Sequence, residues 1–168
     1  RLGEAIASAV PASDKPLLVV PGRLGTGRDG RITTIQFITA DGEKKNLLRG
    51  QMGGTSYRIC SGGPENWVCE GFATALSVRD ALRLLGRRLT VWSAFAASNV
   101  AKVAQGLPGA CIAADHDKPV PTLGGLGAGE YFALQSGRAW TMPPDEEDFN
   151  DMHQRLGLRA VALHLKDL

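Results

Sequence analysis

Two aspartates separated by one position close the run "CIAADHDKP" at residues 111–119, where small and apolar side chains give way to charge. On an extended segment residues i and i+2 face the same way, so Asp115 and Asp117 converge while His116 points to the other side. Carboxylates roughly 5–7 Å apart repel each other, and burial raises their pKa values unless a cation compensates. A hard divalent ion supplies that compensation. Mg²⁺ takes one or two carboxylates and completes its shell with water and substrate phosphates. The same residues would also serve as the plain start of a loop, with an aspartate capping it. Two further acidic groups occupy comparable places: Glu70 after "NWVC", and Asp148 with Asp151 in "PPDEEDFND", just after "AWTMPP".

The surrounding elements fall into two styles. Residues 17–60 read as β-structure, with Asp29-Gly30 and Asp41-Gly42 turns on either side of the alternating run 32–38. From about residue 66 short apolar runs alternate with helical patterns. "NWVCEG", "LTVWSAF", "GACIAAD" and "AWTMPP" are predicted strands. "FATALSVRDALRLLG", closed by Gly86, "AASNVAKVAQGL", "LGAGEYFALQSG" and "DFNDMHQRLG" are predicted helices, and "LRAVALHL" fits a strand or a helix. This order predicts an α/β fold, a mostly parallel sheet flanked by helices. In such sheets functional groups collect outside the carboxyl ends of the strands. The chain divides into a small basic β-rich lobe over residues 1–62 and an α/β domain over residues 63–168.

Glu-Gly at one strand end, then a helix, a strand, a helix and a strand ending in DxD resembles the Toprim domain, the metal-dependent catalytic fold of bacterial-type primases, topoisomerases and some nucleases. The resemblance runs from "WVCEGFATALSV" through "VWSAFAASNVAKVAQ" and "CIAADHD" to "PPDEEDFND", over about residues 64–157. It is nearest to the primase-type Toprim domains of phages, plasmids and other mobile elements, and "IQFITADGEKKNLLRGQMGGTSYRI" is similar to the small β-lobe that precedes them. One departure is "KPVPTLGG" between DxD and the next helix, which lengthens a loop at the active edge.

The resemblance implies phosphoryl or nucleotidyl transfer on DNA: a primase core making short primers on a single-stranded DNA template from nucleoside triphosphates. Alternatives are a strand-cleaving nuclease or topoisomerase-like enzyme, or a non-catalytic nucleic-acid-binding module of a larger replication protein. It implies that Asp115 and Asp117 hold one or two Mg²⁺ (or Mn²⁺) ions, and that Glu70 is a further metal ligand or the general acid or base. Asp148 is a candidate outer ligand, or an N-cap of the helix at "FND". Glu146 and Glu147 read as solvated first-turn acids. Lys44, Lys45 and Arg49 would grip template or nucleotide, or else guard a strand edge. Arg79, Arg83 and Arg87 recur at helical spacing, as a solvent-facing stripe. Thr74 and Ser77, early in the helix after Glu70, are placed to touch phosphate.

Bulk properties limit the rest. With 168 residues, 43% hydrophobic and 21% charged, the chain suits an ordinary globular protein. No run approaches the roughly 20 apolar residues of a membrane span, and the first ten residues are too short in apolar character for a secretory signal. The opening Arg suggests excision from something longer, and the resemblance implies helicase or zinc-binding modules as further domains. Cys60, Cys69 and Cys111 have neither disulfide-framework nor zinc spacing, which fits a reducing cytoplasm. Residues 1–58 hold nine basic and five acidic residues, net +4, and residues 59–168 ten and twelve, net −2. That asymmetry suits an anionic partner, and equally an ordinary charged surface. "GGLGAG" follows a proline loop rather than a strand, so it is not a dinucleotide fingerprint, and no GK[ST] of a nucleotide-binding P-loop occurs. Trp67, Trp92 and Trp140 lie in strand-like runs and read as packing residues, and His116 and His153 lack metal-site spacing.

Overall fold

Alternation of polar and apolar residues early in the chain produces antiparallel strands. The computed structural model describes residue 10, residues 15–25 and residues 30–168, which group into two units divided between Tyr57 and Arg58. In the first, β1 (Leu18–Leu24) pairs with β2 (Ile32–Ile38), with Leu18 opposite Ile38 and a bulge at Gly22/Arg23. The Asp41-Gly42 turn forms as its residue types dictate. Gly42 sits at φ 85°, where a Cβ would be strained, and its N–H donates to the Thr39 carbonyl. The turn leads into β3 (Lys44–Asn46), which pairs with β2. Thr55 and Ser56, at the start of β4 (Thr55–Ser61), pair with Leu24 and Arg23. The Asp29-Gly30 turn lies partly outside the described residues.

The second unit carries the parallel sheet. Its elements are β5 (Glu65–Cys69), α1 (Phe72–Leu84), β6 (Leu89–Ser93), α2 (Ala97–Gln105), β7 (Cys111–Ala113), α3 (Ala128–Ser136), β8 (Ala139–Thr141), α4 (Phe149–Leu156) and α5 (Leu158–Leu165). "LRAVALHL" is therefore a helix. Strands β6, β5, β7 and β8 lie side by side in that order, all parallel. Alternate residues face opposite layers. Trp67, Cys69, Val91, Cys111 and Ala113 pack with α1, α4 and α5, while Val68, Trp92 and Ile112 pack with α2 and α3. Both faces are covered, so the central strand positions are apolar, with polar residues such as Glu65, Asn66, Thr90 and Ser93 near the strand ends.

This layering fixes where the order reverses. From β5 the chain moves outward to β6 through α1, on one face; from β7 it moves to β8 through α3, on the other face. Right-handed crossovers in opposite directions require opposite faces. The reversal lies between β5 and β7, and a crevice opens beyond the carboxyl ends of such a pair. Glu70 and Asp115 stand just past those two ends.

Two expectations about side chains change. Arg87 leaves the helical stripe because α1 ends at Leu84, with Gly86 in the left-handed region. Its guanidinium instead pairs with Glu65, donates to the carbonyls of Leu165 and Leu168, and stands 5.6 Å over the Trp67 ring. Arg79 pairs with Asp80, leaving Arg83 as the exposed member. Among the described residues no helix is long and apolar enough to cross a membrane.

Burial also sets the thiol chemistry. Cys69 and Cys111 are free thiols in the core, and burial pushes the pKa of Cys111 up to about 11. The unfolded thiol ionises near about 8.5. Below that pH both states keep the proton; above it the unfolded chain ionises first, so the folded state loses stability until the folded pKa is passed. Urea melts should show the stability gap between the parent and Cys111→Ala narrowing as pH rises from 8 towards 11.

Candidate active site

The DxD segment is held from three sides. β7 ends at Ala113, so Asp115 and Asp117 lie on irregular chain beyond the strand rather than on its extension. The Ala114 N–H donates to the Thr141 carbonyl, and the His116 N–H to that of Glu147. The His116 Nδ1 lies 2.9 Å from the Pro143 carbonyl. From the third side comes the start of α3. A Cβ on Gly127 would stand 2.4 Å from the Asp117 carbonyl oxygen, and one on Gly129 2.1 Å from that of Asp115. Only glycine permits this approach. The Gly129 N–H then donates to Asp117 Oδ2 at 2.8 Å, so an α3 first-turn amide binds the second DxD carboxylate. The long "KPVPTLGG" loop closes on itself, with Val120 and Leu126 bonded and a 3₁₀ turn at Pro121–Leu123. "GGLGAG" is no dinucleotide fingerprint, but it has this second use, which its residue types alone did not announce. The signal available was GxG immediately ahead of a helix and just after two acids.

Asp115 and Asp117 line a pocket of about 280 Å³ together with Glu146, Glu147, Asp148 and Asp151, and with His116 and Lys118. Asp148 is the N-cap of α4. Its Oδ1 accepts from the N–H groups of Asn150 (2.7 Å) and Asp151 (2.9 Å), and its Oδ2 from the Thr74 hydroxyl at 3.0 Å. The cap does not remove Asp148 from the pocket lining: Oδ1 is filled by its two N–H donors, whereas Oδ2, holding the Thr74 hydroxyl, keeps a second lone-pair direction. Glu147 precedes the helix instead of occupying its first turn, and its carboxylate pairs with Arg155, which also binds Asp145.

Thr74 and Ser77 turn inward, contrary to expectation. Both are buried, Thr74 on Asp148 and Ser77 against Asn150 and the His153 Nδ1, so they tie α1 to α4 and offer nothing to a phosphate. Cys69, the last residue of β5, is a buried free thiol. Burial raises its thiol pKa first, and the charges of Asp115 and Asp148 add to it.

Glu70 stands half-buried directly after β5, and the acidic pocket lining does not include it. Lys44 and Lys45 lie exposed on β3, and Arg49 exposed in the turn that follows, all in the first unit. The pocket is lined by residues of the second unit alone.

The donor set fits a hard cation. Carboxylate oxygens supply six of the eight lining residues, with no thiol among them, and oxygen ligands select Mg²⁺, Ca²⁺ or Mn²⁺ over softer ions. Among the described residues no three His, Cys, Asp or Glu side chains are grouped as a metal cage. Mg²⁺ needs no such cage, because it keeps several waters and shares its shell with phosphate.

Residues 66–158 match the family model described as Toprim domain. Among solved structures, the primase fragment of the bacteriophage T7 primase-helicase protein has a TM-score of 0.60 at 17% identity, over 96% of this chain and 69% of that one. A primase chain is also matched in the bacteriophage T7 lagging-strand DNA polymerase structure, in which primase domains of two gp4 subunits are bound to an RNA/DNA hybrid and dTTP. It has a TM-score of 0.59 at 16% identity, over 97% of this chain and 85% of that one. At these identities the likeness is one of fold.

The two roles of Asp148 separate by substitution. Asp148→Ala removes the cap and leaves the buried Thr74 hydroxyl without its acceptor, which should cost about 2–4 kcal/mol in denaturant melts. Asp148→Asn keeps a capping oxygen and a polar partner for Thr74 and should stay within about 1 kcal/mol of the parent.

Proposed function

Because the chain belongs to the Toprim domain family, we propose that it is the catalytic core of a primase, joining nucleotides into short primers on single-stranded DNA. The observation that carries this reading is the acidic pocket at the carboxyl edge of the sheet, where Asp115, Asp117 and Asp148 meet beside the reversal between β5 and β7. In primer extension a 3′-hydroxyl attacks the α-phosphate of a nucleoside triphosphate. A phosphorus–oxygen bond forms, the bond to the β-phosphate breaks, pyrophosphate leaves, and the hydroxyl proton must be accepted.

We assign that proton to the Glu70 carboxylate. It stands directly after β5, at the carboxyl edge beside the reversal between β5 and β7. Asp115 and Asp117 would hold Mg²⁺ or Mn²⁺, with Asp148 as an outer ligand, and the ion would supply positive charge against the phosphates. Asp117 enters the site already oriented, because one oxygen is fixed by Gly129. Lys118, exposed at the pocket rim, supplies a cation for a phosphate. The basic lobe, residues 1–62, would carry template and nucleotide on Lys44, Lys45 and Arg49.

The test is template-dependent oligonucleotide synthesis with Mg²⁺ or Mn²⁺, on this chain and on any longer parent. Glu70→Gln should keep nucleic-acid binding and lower turnover by about 10² to 10⁴, the range of a positioned acid–base group. Asp115→Asn with Asp117→Asn should abolish metal binding in calorimetry while the fold survives, because two repelling carboxylates are relieved. Strand cleavage without synthesis would replace the primase reading with a nuclease one, and parental turnover in Glu70→Gln would end the assignment of Glu70.

The basic lobe has its own measurement. Replacing Lys44, Lys45 and Arg49 with Ala should weaken single-stranded DNA binding and flatten the log–log salt dependence by about 0.7 for each phosphate that is no longer neutralised. An unchanged slope would leave these residues as guards of an exposed edge.

A further inference from the structure

Among the described residues two that are not glycine hold a left-handed backbone, Arg49 at φ 62° and Phe95 at φ 69°. For a bulky aromatic residue this conformation is unfavourable, and it persists only where the surroundings over-determine it. The surroundings of Phe95 do so. Its side chain is buried in the turn between β6 and α2. Asn99, 3% exposed, donates its Nδ2 to the Ala94 carbonyl at 2.8 Å and so holds the turn against the first residues of α2. The Ala94 N–H donates to the Cys69 carbonyl and the Phe95 N–H to the Glu70 carbonyl, each at 2.8 Å.

The paired ladder between β5 and β6 ends with Cys69 opposite Ser93. The left-handed turn carries its bonding one residue further, onto Glu70. Ser93 adds a second donor: its hydroxyl, on a fully buried residue, lies 3.1 Å from the same Glu70 carbonyl. A carbonyl oxygen with two donors has both lone-pair directions engaged, so its peptide plane is fixed. That plane joins Glu70 to Gly71, the extended N-cap from which α1 departs. A glycine there would otherwise let the plane swing and carry the Glu70 side chain with it.

We propose that Ser93 and Phe95 are positioning residues for Glu70, with the strained β6–α2 turn serving to aim its carboxylate at the crevice between β5 and β7. The inference rests on the acid–base reading of Glu70. It gives the "FAASN" segment a task at the active edge, although none of its side chains lines the acidic pocket.

Ser93→Ala deletes the side-chain donor with little change of size. It should leave single-stranded DNA binding and the nucleotide KM as in the parent and lower turnover about tenfold, the factor carried by one hydrogen bond of ordinary strength. In a Glu70→Gln background the same change should cost nothing further, because the group it positions has lost its function. Parental turnover in Ser93→Ala, or losses that multiply independently in the double mutant, would overturn the proposal. A second readout is independent of turnover. The Phe95 amide should exchange with solvent about tenfold faster in Ser93→Ala, since the bond to Glu70 is no longer braced. Unchanged exchange overturns the positioning role whatever the enzyme assay gives. Parental turnover in Glu70→Gln accompanied by faster exchange would instead remove the acid–base reading and leave the clamp itself standing.

Discussion

The parallel pairing of β5 with β7 is the constraint on which the second unit depends. These two strands are neighbours in space but not in sequence, with β6 and two helices between them. Their crossovers leave on opposite faces, so neither helix covers the carboxyl ends at the junction. A chain that places acids directly after those two strands places them in the one region that the layering leaves open. Glu70 and Asp115 are in those positions, and the acidic pocket lies beyond the end of β7.

Concentrating six carboxylates around a small pocket is electrostatically unfavourable, and the fold offsets that cost with backbone dipoles. Asp117 accepts a first-turn N–H of α3, and Asp148 accepts two from α4. Each helix N-terminus carries partial positive charge and unsatisfied donors, and these donors are directed at the two carboxylates. Arg155 treats Glu147 and Asp145 in the same way at the exposed rim. The glycines follow from this arrangement. α3 can deliver its amide to Asp117 only by lying against the backbone of Asp115 and Asp117, where a Cβ has no room.

Pocket lining and helix packing overlap at single residues. Asp148 lines the pocket, caps α4 and accepts from Thr74 of α1, so the acidic edge and the packing of α1 against α4 share one carboxylate. Thr74 is buried because Asp148 needs it, and Ser77 one turn later repeats the link through Asn150 and His153. The helices that cover one face of the sheet are thereby locked at the end nearest the site.

Much of this was legible in the chain. Apolar runs alternating with helical periodicity specify a layered α/β unit, since strands buried on both faces are mostly apolar and helices need a stripe. The position of Glu70 and of the two aspartates at strand ends followed from the same pattern, as did the Asp41-Gly42 turn from the backbone freedom of glycine. Tertiary structure decided what depends on partners distant in sequence. Thr74 and Ser77 faced inward because α4, more than 70 residues away, presents acceptors to them. Arg87 left its helical stripe because α1 ends at Leu84 and Glu65 lies within reach beyond it. "GGLGAG" became the seat of the DxD segment because a loop of two prolines brings α3 back onto the strand end. Local pattern carries periodicity and backbone freedom; the partner of a polar side chain is set only when separate elements meet.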